Sequence, residues 1–417
     1  MHISNIMMKI GRNAKQASKS LRCLTSEKKD LALSLICNFI SEEKDKILEA
    51  NHKDMEFGRG KNLSDAMLDR LYVDEIRLNN IVKGLKDIIA LPDPVGTLVE
   101  KIPRPNGLTI RKVRTPIGVV GVIFESRPNV FVDAGALCFK SGNPSVLRCG
   151  SESYNTSLVF QNCFDLAFKK LGISEFCTQL VPTRDRSAVE EMLKMNEFFD
   201  VIIPRGGKGL VGLVQEKARV PIFAHLEGVV HIYVHSEADP EKARTVILNS
   251  KVRRPGICGA VECLLLDEQF VQKHGISIIS DLIQAGVLVK GSDELLGIDG
   301  VCLAESSDWG KEFLNMTIAV RTIAGIDEAV SFIESHGSNH TDCIITENDE
   351  LAEEFFMQLD SAILMRNAST QFADGGEFGF GAEIGISTGK LHARGPVGLE
   401  QLTTFKYLVD GTGQIRS

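Results

Sequence analysis

The chain has 417 residues, of which 43% are hydrophobic and 24% charged, and its formal net charge is −8 at pH 7. This length exceeds one ordinary core, so we expect two or more domains of a soluble globular protein. The acidic balance argues against nucleic acid as the main partner, because phosphate contacts need a basic surface. No apolar run has the length of a membrane span or the form of a secretory signal, so we expect a cytoplasmic protein without a membrane partner.

The first ninety residues predict helices. Apolar side chains recur at helical spacing, as at Leu31 and Leu35. Thr25 and Ser41 are suitable N-caps. The segment LPDPVG at 91–96 ends this region.

Strand signals dominate the chain farther on. The stretch PNGLTIRKVRTP at 105–116 predicts a strand or hairpin, and IGVVGVIF at 117–124 opens a series in which apolar stretches alternate with amphipathic helices. Later predicted strands of this series include FDVIIP and VPIFAHLEG, and a second series begins near VVHIYVH at 229–235. The alternation predicts βαβ units and parallel sheets in two α/β lobes, with a boundary near residue 228.

The loop RGGKG at 205–209 lies between a predicted strand and a predicted helix. Its glycines let the backbone approach a ligand, and a helix N-terminus favours an anion. A tight turn explains the same pattern, since the loop is neither GxGxxG nor a Walker A loop. Arg148 and Ser151 lie at another strand end, where an α/β sheet binds ligands, and they suit a ribose or its 2′-phosphate. A solvated surface arginine is the alternative for Arg148.

Ten cysteines occur with no CxxC among them, which indicates free thiols in a reducing compartment. Cys258 and Cys263 lie five residues apart in KVRRPGICGAVECLLL. Cys263 is flanked by strand-forming residues and is expected to pack in the core. Cys258 follows Arg253 and Arg254, which would lower a thiol pKa, and it precedes a glycine. The residues alone leave a nucleophilic and a packed Cys258 both open.

The histidines do not predict a metal site. His225, His231 and His235 lack an HExxH helix and a fourth ligand, and two of them fall in a predicted strand. His336 and His340 are separated by GSN, which is incompatible with one helix face. We therefore expect no bound metal.

Five stretches combine these features in an unusual way. They are GVVGVIFESRPNV (118–130), SGNPSVLRCGSE (141–152), IPRGGKGL (203–210), RRPGICGAVECLLL (253–266) and QFADGGEFGFGAEIGISTGKLHARGPVGLEQLTTFKY (371–407). In these stretches, and along most of its length, the chain resembles the γ-glutamyl phosphate reductases, a family of the aldehyde dehydrogenase superfamily.

The resemblance implies an aldehyde dehydrogenase-like α/β fold. Residues 1–104 and 117–228 would form a Rossmann-like NADP-binding domain, and 229–397 an α/β catalytic domain. Segments 105–116 and 398–417 would mediate oligomerisation, so the resemblance implies a homo-oligomer, either a dimer or a tetramer.

The resemblance also implies site residues. Cys258 matches the family nucleophile. The residues implied to bind NADPH are Arg148, Ser151, Arg205, Gly206, Gly207 and Glu312. For the substrate we assign Arg127, Asn129, Arg253, Arg254 and Glu383.

The reaction implied is the NADPH-dependent reduction of L-glutamyl 5-phosphate to L-glutamate 5-semialdehyde and phosphate through a cysteine thioester. It is the second step of proline biosynthesis from glutamate, which makes glutamate 5-kinase the candidate upstream partner. Where oxidising relatives carry an ELGG glutamate that activates water, this chain has HLEGVV, with His225 at about that place. The rival hypotheses are a hydrolysing aldehyde dehydrogenase, a thiol hydrolase or acyltransferase that uses Cys258 with a histidine, and a non-catalytic scaffold.

Overall fold

A computed structural model describes residues 2–416, which form two compact units. Unit 1 comprises the described residues up to Ala224, then Gly379–Gly385, and the described residues from Val397 onward. Unit 2 comprises His225–Phe378 and Ile386–Pro396. The first division lies close to the predicted boundary near 228. The segments assigned to oligomerisation are, as far as they are described, part of unit 1.

The α-helices of residues 2–416 are distributed over both units. In chain order they are α1 (Ile3–Leu21), α2 (Ser26–Glu42), α3 (Lys44–Gly60), α4 (Asp65–Leu71), α5 (Glu75–Ala90), α6 (Asn129–Lys140), α7 (Tyr154–Leu171), α8 (Ser187–Lys194), α9 (Lys208–Lys217), α10 (Pro240–Val252), α11 (Glu268–Phe270), α12 (Ile276–Gln284), α13 (Ile326–His336) and α14 (Asp349–Gln358). A π-helical turn, Val271–Gly275, joins α11 to α12.

The described strands belong to four sheets. They are β1 (Leu98–Pro103), β2 (Thr109–Pro116), β3 (Val120–Phe124), β4 (Ser145–Cys149), β5 (Thr178–Leu180), β6 (Val201–Arg205), β7 (Val230–Val234), β8 (Val261–Asp267), β9 (Leu288–Gly291), β10 (Val301–Leu303), β11 (Thr317–Ile323), β12 (Thr341–Ile345), β13 (Ile363–Arg366), β14 (Ile386–Ser387), β15 (Gly395–Pro396) and β16 (Thr403–Asp410).

Unit 1 begins with the predicted helices α1–α5. The Thr25 hydroxyl caps α2 by accepting a hydrogen bond from the Lys28 N–H, as expected, whereas Ser41 lies inside α2 and donates to the Cys37 carbonyl. A parallel sheet follows in the order β5-β4-β3-β6, and an antiparallel sheet has the order β1-β2-β16. No helix within residues 2–416 is both long enough and apolar enough to cross a bilayer.

Unit 2 is built on a seven-stranded sheet with the order β10-β9-β11-β8-β7-β12-β13, in which every pair is parallel. This confirms the predicted βαβ series. The strand predicted for VPIFAHLEG is wrong, because this segment forms only a single bridge between Ile222 and Ile202. Pro221 in this segment has no N–H to donate to a sheet, and the chain passes there from one unit to the other. The apolar pattern of the sequence alone does not reveal that the chain leaves one unit for the other at this point.

A buried ion pair ties together the two ends of the loop that carries Cys258. Lys251, in the last turn of α10, contacts Glu262 of β8 at 2.6 Å, and both side chains are almost wholly buried. The second carboxylate oxygen of Glu262 accepts a hydrogen bond from the Leu314 N–H at 3.0 Å. Burial raises the pKa of Glu262 to about 7, opposed by the Lys251 ammonium. The pair therefore fixes the Cys258 loop relative to the segment that contains Glu312.

Removing one partner of this pair should destabilise unit 2 strongly. We expect Lys251→Met to lower the free energy of unfolding by about 3–5 kcal/mol, because Glu262 would remain buried without a cation. Lys251→Met combined with Glu262→Leu should recover much of that loss. The control is Lys53→Met, which breaks the exposed Lys53–Glu49 pair and should cost about 0.5 kcal/mol or less. Denaturant titrations followed by circular dichroism would measure these differences, and equal losses for both single variants would contradict the assignment.

Candidate functional site

Most of the predicted cofactor residues lie at the carboxyl ends of adjacent parallel strands in unit 1. Arg148 belongs to β4, and Arg205 ends β6, on the other side of β3. The Arg148 guanidinium is buried and donates to the carbonyls of Cys149, Arg184 and Asp185 at 2.6, 3.2 and 3.3 Å. This excludes the alternative hypothesis from the sequence, in which Arg148 is a solvated surface arginine. Its Nε atom, like that of Arg205, is buried without a hydrogen-bond partner.

The predicted loop RGGKG joins β6 to α9, and Gly207 is the N-cap residue of α9. A β-carbon at Gly206 would lie 2.4 Å from a carboxylate oxygen of Glu125 and 2.7 Å from the Leu210 side chain. The Gly207 N–H donates to the same Glu125 oxygen at 3.2 Å. The N-terminus of α9 therefore accepts an anionic group, as expected for such a terminus. Glu125 was not among the predicted site residues, although it is the first residue after the buried β3.

Ser151 follows β4 in a short 3₁₀ turn. Its hydroxyl lies 3.4 Å from the carboxylate of Glu152. The other oxygen of Glu152 accepts hydrogen bonds from the N–H and the hydroxyl of Ser126, at 2.8 and 2.9 Å. The carboxyl ends of β3 and β4 are thus linked through one carboxylate beside Ser151.

Cys258 lies in unit 2, on the loop between α10 and β8, as predicted. A β-carbon at Gly228 would come within 2.4 Å of the Cys258 carbonyl oxygen and 2.7 Å of its β-carbon. A β-carbon at Gly259 would lie 2.9 Å from the Thr370 carbonyl. Two glycines therefore allow the neighbouring backbone to approach the thiol loop closely, which orients the Cys258 side chain.

Two imidazoles lie beside the Cys258 thiol. A ring nitrogen of His225, a ring nitrogen of His340 and Sγ of Cys258 all lie within 4.8 Å of one another, and the two rings contact edge to face. His225, His340 and Cys258 precede β7, β12 and β8 respectively, which are consecutive strands in the order β8-β7-β12. Because these strands are parallel, their amino-terminal ends meet at one edge of the sheet. This topology brings together residues that are far apart in the chain.

The hydrogen bonds of both histidines orient the rings. Nδ1 of His225 lies 2.8 Å from the Ile386 carbonyl, which only accepts, so Nδ1 carries the proton and Nε2 can face a second partner. Nδ1 of His340 lies 2.9 Å from the Thr341 hydroxyl. Nε2 of His340 is buried and has no partner that satisfies ordinary hydrogen-bond geometry. The contacts of the two Nδ1 atoms thus hold both rings beside the thiol.

The pKa of Cys258 is lowered well below its usual range. Burial acts in the opposite direction and is the largest single effect, but the positive charges and hydrogen bonds of His340 and His225 together outweigh it. The sequence attributed this shift to Arg253 and Arg254, and that explanation is wrong. Both arginines are exposed and neither is among the main causes of the shift. Arg253 donates to the side-chain oxygen of Gln371 at 3.3 Å.

Cys263 has the opposite environment. It lies in the middle of β8, is 2% exposed, and its pKa is raised by burial. The prediction that Cys263 is a core residue is confirmed. Of the two cysteines in KVRRPGICGAVECLLL, only Cys258 has the thiolate character that a nucleophile needs.

Glu312 belongs to unit 2, unlike the other predicted cofactor residues. Its carboxylate accepts a hydrogen bond from the Gly228 N–H at 2.9 Å. The pKa of Glu312 is raised, first by burial and then by the negative charge of the Cys258 thiolate. Glu312 is therefore part of the surroundings of the thiol.

The residues assigned to the substrate do not form one cluster within either unit. Arg127, Asn129 and Glu383 belong to unit 1, and Arg253 and Arg254 belong to unit 2. Asn129 opens α6 and donates to the carboxylate of Asp133 at 3.0 Å. The roles of the five residues assigned to the substrate stay predictions.

The sequence is similar to a known family over much of its length. Residues 6–284 match the model of the aldehyde dehydrogenase family. Together with the two parallel sheets and the loop thiol, this match defines the class of protein as an oxidoreductase with the aldehyde dehydrogenase-like fold.

Individual relatives narrow the class. A γ-glutamyl phosphate reductase from Beijerinckia indica is 52% identical over 99% of this chain and 96% of its own length, and one from Rhodospirillum rubrum is 49% identical over 99% and 97%. The crystal structure of γ-glutamyl phosphate reductase from Thermotoga maritima superposes with a TM-score of 0.96 at 39% identity, covering 99% of this chain and 100% of that one. The chain therefore belongs to the γ-glutamyl phosphate reductase family.

The lowered pKa of Cys258 predicts a thiol that is already reactive at neutral pH. We expect the rate at which iodoacetamide alkylates Cys258 to rise less between pH 7 and 9 than that of an ordinary thiol, because the lowered pKa gives Cys258 a larger thiolate fraction at pH 7. His340→Ala removes the main stabilising charge, so the pKa should rise and the rate at pH 7 should fall about tenfold or more, since an ordinary thiol is only a few per cent ionised there. Peptide mass spectrometry would separate Cys258 from the exposed Cys23 and Cys302.

The matched control for this experiment is His52→Ala, which removes an exposed histidine of unit 1. It should leave the alkylation of Cys258 unchanged. An unshifted pH profile in a folded His340→Ala protein would contradict the assigned role of His340.

Proposed function

We propose that this chain catalyses the NADPH-dependent reduction of L-glutamyl 5-phosphate to L-glutamate 5-semialdehyde and phosphate, the second step of proline biosynthesis from glutamate. The observation that carries the proposal is the Cys258 thiol between His225 and His340, in a chain about half identical to γ-glutamyl phosphate reductases. With a strong thiol nucleophile, the route from an acyl phosphate to an aldehyde passes through a covalent acyl-enzyme.

In the first half of the reaction the Cys258 thiolate attacks the acyl carbon. The carbon–sulfur bond forms, the bond to the phosphate oxygen breaks, and a thioester and inorganic phosphate result. Thiolate suits this step, because it is nucleophilic and later a good leaving group. His225 and His340 stabilise the thiolate before the attack through their charge and their hydrogen bonds.

The second half reduces the thioester and returns the thiol. NADPH, when bound, would supply the hydride for this step. After reduction the thiohemiacetal collapses, the carbon–sulfur bond breaks, and Cys258 leaves as the thiolate that the same two imidazoles stabilise. No water is needed at any point, which agrees with His225 standing where oxidising relatives carry a glutamate base.

Residues of unit 1 fit a dinucleotide phosphate. Gly206 and Gly207 present a glycine-lined helix N-terminus that already accepts the Glu125 carboxylate. The Nε atoms of Arg148 and Arg205 are buried donors without partners. We assign these four residues and Ser151 to cofactor binding, and Glu312 in unit 2 to the nicotinamide end.

The charged groups of the substrate can be assigned to side chains of the protein. Arg253 and Arg254 flank the Cys258 loop in the chain and are exposed, so we assign to them the phosphate of the substrate. Arg127, Asn129 and Glu383 are assigned to the α-carboxylate and α-amino groups.

An exposed apolar surface on the antiparallel sheet supports the proposed homo-oligomer. Phe405, Tyr407 and Val409 of β16 and Leu98 of β1 are each about half exposed, and β16 lies at the edge of its sheet. Exposed edge strands with apolar side chains favour pairing with another chain. We propose that β1, β2 and β16 form the contact between copies of the chain.

Two cysteine variants test the proposed nucleophile. Cys258→Ala should abolish NADPH oxidation with L-glutamyl 5-phosphate, because the sulfur that forms the thioester is then missing. Cys263→Ala should keep activity per folded molecule and mainly lower stability, by about 1–2 kcal/mol for a small buried hydrophobe. Full activity in a folded Cys258→Ala protein would contradict the proposal.

One observation favours a second candidate function. A thiol with two adjacent histidines is also the arrangement of a thiol hydrolase, in which an imidazole activates water. The two functions differ in the reverse reaction, where the proposed enzyme should turn over glutamate 5-semialdehyde with NADP⁺ repeatedly only if phosphate is present to release the acyl group from Cys258. We expect steady-state oxidation to stop after about one turnover without phosphate, and the rate with phosphate to be higher with NADP⁺ than with NAD⁺. Repeated turnover without phosphate, or ester hydrolysis without cofactor, would favour the rivals.

A further inference from the structure

The site contains a set of metal-ligand side chains that the sequence did not reveal as a set. Cys258, His225 and His340 offer one sulfur and two ring nitrogens within 4.8 Å of one another. They lie on three separate segments, so no short motif records them. The local spacing of the histidines predicted no metal site for the same reason.

The chemistry of these three donors is that of a zinc site. Thiolate and neutral imidazole favour Zn²⁺ and similar soft or borderline divalent ions over Mg²⁺ and Ca²⁺. Zinc–sulfur bonds of about 2.3 Å and zinc–nitrogen bonds of about 2.0–2.1 Å place tetrahedral donors about 3.3–3.6 Å apart. The donors lie within 4.8 Å of one another, so a decrease of at most about 1.2–1.5 Å in their separations would satisfy the ion.

The contacts behind the donors are those of ligating histidines. In metal sites the second ring nitrogen commonly contacts a carbonyl or another oxygen, which fixes the tautomer and the ring orientation. Nδ1 of His225 contacts the Ile386 carbonyl, and Nδ1 of His340 contacts the Thr341 hydroxyl. Nε2 of His340 is a buried polar atom without a partner, in a residue that is wholly buried. A bound ion would satisfy it.

We propose that Cys258, His225 and His340 bind one zinc-type divalent ion reversibly, and that the bound ion inhibits the enzyme by occupying the nucleophilic sulfur. A fourth position on the ion is left for water. Metal binding rests on the geometry alone, whereas the inhibition rests on the proposed function.

Cobalt(II) is the probe for the site, because thiolate ligation gives it a strong near-ultraviolet charge-transfer absorption. Titration of the full-length protein with cobalt(II) chloride should show this absorption saturating at one ion per chain, and zinc chloride should abolish it by displacement. Cys258→Ser should remove the absorption, and His340→Gln should weaken cobalt binding by about 100-fold or more, as expected for loss of a direct ligand. Cys302→Ser, which changes an exposed cysteine outside the site, should leave binding unchanged.

Inhibition is measured on the unaltered protein. Zinc chloride should block both iodoacetamide alkylation of Cys258 and NADPH oxidation, and EDTA should restore both. Cobalt binding without thiolate absorption in the unaltered protein, or absorption that persists in a folded Cys258→Ser protein, would overturn the site. A cobalt signal with zinc-insensitive reduction would overturn the inhibition. A cobalt signal in a protein without any reductase activity would support the metal site and contradict the proposed function instead.

Discussion

The chemistry of this chain depends on the balance between burial of a thiolate and the positive charge placed beside it. Burial can raise a thiol pKa by up to about 3–5 units, and each unit corresponds to about 1.4 kcal/mol. Two unit charges about 4 Å apart, at an effective dielectric constant of about 20, attract by about 4 kcal/mol. For Cys258 the charges and hydrogen bonds of His340 and His225 together outweigh burial and lower the pKa of the thiol. The presence of both His225 and His340 explains why Cys258 differs from the buried Cys263.

The two units use opposite edges of their parallel sheets. In unit 1 the residues proposed to bind the cofactor lie at carboxyl ends of strands, as is general for ligand sites of open α/β sheets. In unit 2 the thiol and both imidazoles lie at the amino-terminal ends of β8, β7 and β12. The Lys251–Glu262 pair and the close approach at Gly228 fix the loop that presents the thiol. The site of unit 2 is therefore a product of strand order rather than of one local motif.

Local signals predicted much of this structure. The alternation of strands and helices predicted two parallel sheets, and the neighbours of Cys258 and Cys263 separated a loop thiol from a core thiol. The prediction of a strand for the segment VPIFAHLEG was wrong. Strands and irregular backbone at a boundary between units can have the same apolar composition, so composition alone does not distinguish them.

Contacts between residues that are far apart in the sequence could not be predicted in the same way. His340 carries no local signal of its role, since only the neighbouring positions of β7, β8 and β12 bring it to the thiol. The same limit led to the wrong attribution of the lowered thiol pKa to Arg253 and Arg254, which are close to Cys258 in sequence, whereas its main stabilising partners are His340 and His225. A knowledge of strand order, combined with a search for titratable residues at shared strand ends, would have found His340.

The proposed reaction depends on a thioester between Cys258 and the acyl group of the substrate. Incubation of the protein with glutamate 5-semialdehyde and NADP⁺ in phosphate-free buffer should trap that thioester, since the acyl group then lacks its acceptor. Mass spectrometry of the intact protein and of its peptides should show one glutamyl acyl group per chain, on the peptide that contains Cys258, and added phosphate should release it. An unmodified Cys258 under these conditions, or an acyl group on another residue, would contradict the account.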